Sequence, residues 1–279
     1  MPELPEVETT RRGLEPHLLG QRIHTCVVRE PRLRWRVAGN LAARLVGRQI
    51  VTVGRRAKYL LLGLDDHSTI IWHLGMSGNL RILPSGTPPL AHDHVDILLG
   101  SNQVLRFNDP RRFGSLHHTA APPEEHALLA KLAPEPLQDG FDGAYLYRVT
   151  RKRRVAIKQL LMNGHLVVGV GNIYASEALF HAGLRPTRAA RGLSQRDCDL
   201  LVRAVRRVLG MAIRAGGTSL RDYVGSDGNP GYFRQKLFVY ERAGQPCRQC
   251  GTVLQHLKQG QRSSYFCATC QPARAAREK

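Results

Sequence analysis

The chain has 279 residues and carries Lys+Arg 41 against Asp+Glu 22, a formal net charge of +19. A surplus of that size sets up a wide positive field and points to a polyanion, nucleic acid before any other, as the partner. A hydrophobic fraction of 42% supports ordinary cores for two domains, while the lack of a long uncharged apolar run excludes a membrane span, and the lack of a basic helix with a Trp/Phe-rich face argues against membrane-surface binding.

The opening Met1-Pro-Glu-Leu-Pro-Glu6 lacks the basic-then-apolar order of a signal peptide, so the protein is expected to be soluble and cytoplasmic, with its mature start at or next to residue 1. Leu4, Val7 and Leu14 recur near helical spacing and predict a short helix that Pro16 ends or bends. Short β-rich segments follow at Gln21 to Arg29, Gln49 to Gly54, Lys58 to Leu64, Thr69 to Leu74, His94 to Leu99 and Val104 to Phe107, most of them bounded by Gly, Pro, Asp or Asn. Such a series predicts a sandwich or barrel. After Ala121-Pro-Pro123 a helix is expected over Glu124 to Leu132, then a Pro/Asp/Gly-rich interdomain linker over 134–143.

The second half reads as helical. Its clearest helix starts at Ser194, with Asp197 completing a capping arrangement, carries Leu201, Ala204, Val205, Val208 and Ala212 on one face, and stops at Gly216-Gly217. Upstream, Gly169-Val-Gly171-Asn172 delivers the chain to a helix N-terminus with Asn172 as N-cap. Its free N–H groups suit a phosphate, and the same residues also suit a plain capped turn. Arg151-Lys-Arg-Arg154 concentrates positive charge close by in sequence, as a solvated face or a phosphate contact. Near the end, Cys247-Arg-Gln-Cys250 and Cys267-Ala-Thr-Cys270 form two C-x2-C pairs. Two such turns complete a closed tetrahedral S4 shell for one structural Zn2+, and disulfides are disfavoured in a reducing compartment. Cys26 and Cys198 stand singly and read as buried thiols.

Taken in order, Pro2-Glu-Leu-Pro-Glu-Val-Glu8, Arg55-Arg-Ala-Lys-Tyr-Leu60, His73-Leu-Gly-Met-Ser-Gly78, His92-Asp-His-Val-Asp96, Asp109-Pro-Arg-Arg-Phe-Gly114, Val168 to Phe180, Ser226 to Phe233 and the cysteine cluster with Arg262 before its second pair resemble the bacterial formamidopyrimidine-DNA glycosylases. The resemblance covers nearly the whole chain. It implies an α+β multidomain fold: an N-terminal β-sandwich catalytic domain over 1–133, a linker over 134–143, a helical domain with a helix-two-turn-helix element over 144–236, and a zinc ribbon over 237–273. It implies a monomer that acts on double-stranded DNA containing oxidised purines such as 8-oxoguanine, removes the base and cleaves the abasic strand by β,δ-elimination.

By the same resemblance, Pro2 is the nucleophile once Met1 is removed, Glu3 the general acid with Glu6 in support, Lys58 a proton donor in β-elimination, and Arg262 an electrostatic clamp associated with δ-elimination. His92, Arg111, Arg153 and Asn172 match DNA contacts. Met76, Arg111 and Phe113 match groups that fill the gap left by an extruded nucleotide, and the glycine-rich Gly216 to Gly231 matches a loop that covers the flipped base. Two departures stand out, Asn163-Gly164 in place of an Asp-containing pair and Glu241 where glycine is usual. The related endonuclease for oxidised pyrimidines usually has Gly where this chain has Leu4, which favours purines. A zinc-ribbon nucleic-acid-binding protein without catalysis is the reading from another class.

Overall fold

The computed structural model describes residues 2–217 and 236–273. The described residues form two compact units, one of 2–131 and 212–217, the other of 132–211 and 236–273.

The first unit opens with α1 (Leu4–Leu18), which runs through Pro16 instead of ending there. Pro16 cannot give the N–H bond that would go to the Arg12 carbonyl, and Leu14 and Leu18, both fully buried, hold the last turn in place despite that loss. All six expected strands form: β1 (Ile23–Val28), β2 (Ile50–Arg56), β3 (Tyr59–Leu64), β4 (Thr69–His73), β6 (Asp93–Leu99) and β7 (Gln103–Asn108). Two further strands, β5 (Asn79–Pro84) and β8 (Ser115–Thr119), and a short helix α2 (Leu41–Leu45) escape the sequence reading. β8, with Leu116 as its single large apolar residue, carries no strand signal of its own and forms because β4 offers it an edge, His73 opposite Ser115 and Ile71 opposite His117.

The strands make two four-stranded antiparallel sheets, ordered β1-β6-β7-β5 and β2-β3-β4-β8. Their inner faces close a sandwich over Leu60, Leu62, Trp72, Val95, Ile97, Leu105 and Phe107. Trp72 of one sheet meets Phe107 of the other edge to face, with ring centroids 5.4 Å apart. The helix expected over Glu124 to Leu132 is absent; a 3-10 turn at Pro123–Glu125 and isolated turns take its place. Leu129 is its one buried large apolar side chain, too little to hold an amphipathic face.

The second unit contains α3 (Gly143–Thr150), α4 (Ile157–Leu161), α5 (Asn172–His181) and most of α6 (Gln195–Arg214). Ser194 and Asp197 cap α6 reciprocally: the Ser194 N–H donates to Asp197 Oδ2 at 2.8 Å and the Asp197 N–H to Ser194 Oγ at 3.2 Å. The helix stops at Gly216 and Gly217, both at positive φ. A hairpin of β9 (Gln255–Gln259) and β10 (Arg262–Phe266) joins the two cysteine pairs.

Glu177 on α5 anchors the approach to that hairpin. Its carboxylate, 1% exposed, accepts the backbone N–H groups of Phe238, Val239 and Tyr240 at 2.8, 2.9 and 2.9 Å. Replacing it with alanine strands buried donors and is expected to destabilise this unit by about 3 kcal/mol, measured by urea denaturation. Nearby, Glu241 has φ +56, a left-handed conformation that costs a residue with a Cβ about 1 kcal/mol and that glycine adopts without strain. At the other departure, Asn163 Oδ1 accepts the His165 N–H at 3.0 Å, a turn bond that an Asp carboxylate can equally make.

Candidate active site and nucleic-acid interface

In the first unit, Pro2 and Glu3 are buried at the start of α1. Glu3 is the N-cap, and its N–H donates to Glu6 Oε2 at 2.8 Å in a capping box that fixes the direction in which the chain start points. Glu6, also buried, thereby supports Glu3 through the backbone. Gly217, at φ +82, approaches Glu6 so closely that an added Cβ would lie 3.2 Å from its Oε1. Lys58, half-buried, follows the left-handed Ala57 in the turn between β2 and β3. Beyond Gly217, the glycine-rich segment expected to cover an extruded base lies outside the described residues, as do Ser226 to Phe233.

Two turns at the end of the sandwich are bound into one platform by Asp109, which is fully buried. Its Oδ1 accepts Ser77 Oγ–H at 2.7 Å and its Oδ2 accepts the Gly114 N–H at 2.7 Å. Its own N–H donates to the His92 carbonyl at 3.0 Å. The Met76 turn, the Arg111–Phe113 turn and the His92 segment are thus held together. Gly75 is required at their contact, because a Cβ there would stand 2.4 Å from both the Gly114 nitrogen and the Phe113 carbonyl carbon. Met76 is half-buried, Arg111, Phe113 and His92 are exposed, and the Arg111 guanidinium lies 4.8 Å from the Phe113 ring centroid. A cation stacked on an aromatic ring left in water is a form suited to insertion beside bases.

In the second unit, Gly171 and not Asn172 is the N-cap of α5, in extended backbone and without a side-chain cap bond. Asn172 is the first helical residue, and its Nδ2–H donates to Tyr240 Oη at 3.3 Å. The Asn172 side chain therefore does not cap its own helix. Tyr240 in turn meets Tyr265 of β10 at 5.1 Å between centroids. Arg153 is exposed just before α4, and Arg262 is exposed as the first residue of β10. The hairpin is gripped next to Arg262 by the buried Lys158, whose Nζ donates to the Ser263 carbonyl at 2.6 Å and to Ser264 Oγ at 2.8 Å.

Cys247, Cys250, Cys267 and Cys270 bring their sulfurs within 4.8 Å of one another. A tetrahedral shell with Zn–S bonds of about 2.3 Å has sulfurs about 3.8 Å apart, and the Cys247–Cys270 and Cys250–Cys267 separations are 3.9 and 3.5 Å. The donor set fits one structural Zn2+. Backbone N–H groups of Gln249 and Cys270 point at Cys247 and Cys267 Sγ at 3.4 Å each, the arrangement that favours thiolates.

Comparison with known proteins accounts for this arrangement. Residues 1–116 match the family model of the formamidopyrimidine-DNA glycosylase N-terminal domain, 132–224 that of the formamidopyrimidine-DNA glycosylase H2TH domain, and 244–273 that of the zinc finger found in FPG and IleRS. The formamidopyrimidine-DNA glycosylases of Thioalkalivibrio sulfidiphilus and Syntrophotalea carbinolica are each 56% identical over 271 residues, 97% of this chain and 100% of theirs. The chain belongs to the formamidopyrimidine-DNA glycosylase family. Solved structures agree: the MutM (Fpg) protein of Thermus thermophilus superposes with a TM-score of 0.87 at 41% identity, covering 97% of this chain and 98% of that one. Wild-type Lactococcus lactis Fpg, in complex with DNA containing N7-benzyl-Fapy-dG, gives 0.91 at 34% identity, covering 98% and 100%. No helix among the described residues is long and apolar enough to cross a membrane.

The glycosylase fold also uses residues to which the sequence reading assigns no role. Asp109, Lys158 and Glu177 look like ordinary surface charges in sequence and are buried clamps in the structure. His73 is another. Its Nδ1 accepts the Gly75 N–H at 2.9 Å, which requires the neutral imidazole. Burial, then the charges of Lys58, Arg34 and His117, pull its pKa down to about 4. A lowered value means that the unfolded chain binds the proton more readily, so this stability is complete above about pH 6.5 and drains away as pH falls toward 4. Between urea midpoints at pH 7 and pH 4.5, the wild-type protein is expected to lose up to about 3 kcal/mol more than His73→Gln.

Proposed function

We propose that this protein removes oxidised purines, 8-oxoguanine and formamidopyrimidines, from double-stranded DNA and then cuts the abasic strand, with Pro2 as the nucleophile. The observation that carries the reading is the buried chain start: Pro2 and Glu3 side by side at the head of α1, with the capping bond to Glu6 fixing their direction. Once Met1 is removed, the Pro2 secondary amine attacks C1′. The C1′–N bond to protein forms, the glycosidic bond breaks, and its electron pair leaves with the base, with Glu3 supplying the proton.

The Pro2 nitrogen gives up its proton and its lone pair forms the second bond to C1′ as the C1′–O4′ bond breaks; O4′ takes a proton and becomes a hydroxyl, which leaves a cationic iminium on C1′. That electron sink lets the C2′ proton depart and the C3′–O bond break, with Lys58 donating a proton in this β-elimination, before the C5′–O bond follows in the δ-step. Arg262 steadies phosphate charge and keeps its own proton. His92, Arg111, Arg153 and Asn172 hold the DNA backbone and the unpaired strand, while Met76 and Phe113 fill the gap in the stack. We further assign catalysis to 1–133, helix-two-turn-helix binding to 144–236 and the ribbon to 237–273, with 134–143 as connector, in a monomer working in the bacterial cytoplasm on nucleoid DNA.

Borohydride added during reaction with a duplex carrying 8-oxoguanine opposite cytosine tests this. The expected result is a covalent protein–DNA species, since borohydride reduces the iminium to a stable amine. Tight binding with no trapped species would overturn the reading in favour of a zinc-ribbon DNA binder without catalysis.

A further inference from the structure

The proposed nucleophile and the proposed proton donor sit on different elements, α1 and the β2–β3 turn, and one side chain joins them. Arg55, near the end of β2, donates from Nε to Glu8 Oε2 at 3.2 Å and from Nη1 to the Ala57 carbonyl at 2.7 Å. Arg55 and Glu8 are only 11% and 13% exposed, so the pair lies mostly out of water, where charge-assisted bonds hold geometry firmly. Glu8 stands on α1, close after Pro2 and Glu3. The Ala57 carbonyl belongs to the peptide bond that leads into Lys58.

That turn needs holding. Ala57 is buried at φ +53, a left-handed conformation that costs a residue with a Cβ about 1–2 kcal/mol. A guanidinium hydrogen on its carbonyl fixes the peptide plane from which the Lys58 side chain departs. At the other end, Glu8 is also held by Arg11 and Arg12, and Arg11 donates to the Val53 carbonyl at 3.2 Å, which ties α1 to the body of β2. Burial pushes the Glu8 carboxyl up, but hydrogen bonds from Arg11 and Arg12 and the charges of Arg11 and Arg55 hold it below the usual carboxylate range, so the anion persists at neutral pH.

We propose that Arg55 is a positioning residue for the lyase step, fixing the placement of the Lys58 ammonium relative to the Pro2 nitrogen by bridging Glu8 and the Ala57 carbonyl. This rests on Pro2 as nucleophile and Lys58 as proton donor. Arg55 acts through its neighbours and is not itself required to touch DNA. Its charge alone therefore does not suffice: a lysine brings its donors from a single nitrogen, whereas the planar fork presents Nε to Glu8 and Nη1 to the Ala57 carbonyl from two separate nitrogens.

Single-turnover strand cleavage of a duplex with a preformed abasic site, and affinity for the same duplex with an uncleavable tetrahydrofuran in that position, separate chemistry from binding. Arg55→Met is expected to slow cleavage by about tenfold or more, the scale set by small misplacements of reacting groups, with affinity changed less than about twofold. Arg55→Lys is expected to recover only part of the rate, and Glu8→Gln to share the loss. Because one linkage is broken in either case, the double variant Glu8→Gln/Arg55→Met is expected to be no slower than Arg55→Met alone. Wild-type cleavage by a folded Arg55→Met, full rescue by Arg55→Lys, or an affinity loss matching the rate loss would overturn the proposal. If Arg55→Met does not fold, Glu8→Gln and Arg55→Lys carry the same comparison. Lys58→Met in the same assay keeps the two ideas apart: wild-type cleavage by that variant removes Lys58 from the mechanism, whereas a slow Lys58→Met beside a fast Arg55→Met removes only the bridge.

Discussion

A preparation of the protein that keeps Met1 is expected to form no covalent species when borohydride is added to it with an 8-oxoguanine duplex. With Met1 attached, the Pro2 nitrogen is a tertiary amide whose lone pair is delocalised into the carbonyl, and it cannot attack C1′. Released, it becomes a secondary amine. A chain-start amine with an ordinary pKa near 8 is roughly a fifth unprotonated at neutral pH, against well under 1% for an ordinary lysine. The burial of Pro2 beside Glu3 and Glu6 leaves no other amine so placed at the head of α1 among the described residues. Intact mass identifies the two forms, and base release, trapping and strand cleavage should all track the processed fraction. A trapped species at the mass of the Met1-bearing chain would transfer the nucleophile to another amine, with Lys58 first in line.

The parts of this site that are legible in sequence are those whose chemistry is local. Two C-x2-C turns, a Ser194–Asp197 cap and strands bounded by Gly and Asp each declare themselves within a few residues, and each stands in the structure where the sequence predicts it. Asp109 cannot be read that way. Its meaning lies in Ser77, 32 positions away, and nothing in the Asp109-Pro-Arg-Arg-Phe segment says that the carboxylate turns inward. The same holds for Lys158, whose partners are 105 and 106 positions distant. Asn172 misleads for the opposite reason: Asn is a strong N-cap by local preference, but the turn places Gly171 in the capping position and points the amide at Tyr240 instead. Glu124 to Leu132 fails as a helix because apolar residues without an apolar face give no packing energy.

Stripping Zn2+ with a strong chelator is expected to unfold the ribbon and abolish lesion binding while the sandwich stays folded. The hairpin's own apolar cluster is small: Val239, Leu254, two of the cysteines and Phe180 from α5, with Phe238, Tyr265 and Cys270 partly buried against them. Even with the Lys158 and Glu177 bonds this is too little to offset the entropy of ordering residues 244–273. Structural Zn2+ in such modules contributes on the order of 10 kcal/mol of apparent folding energy at neutral pH. Without it Arg262 loses its place on β10, and Tyr265 leaves Tyr240, the neighbour of Asn172 at the start of α5. Amide exchange separates the two units: protection should vanish across β9 and β10 and persist in β3, β4, β6 and β7, whose pairing involves no cysteine ligand. Cys250→Ala should behave like the chelated protein, because three thiolates leave the tetrahedron open. Retained protection of the hairpin after complete zinc release, verified by metal analysis, would mean that packing against α5 and the Glu177 clamp suffices, and the metal would then have to be assigned a role other than folding.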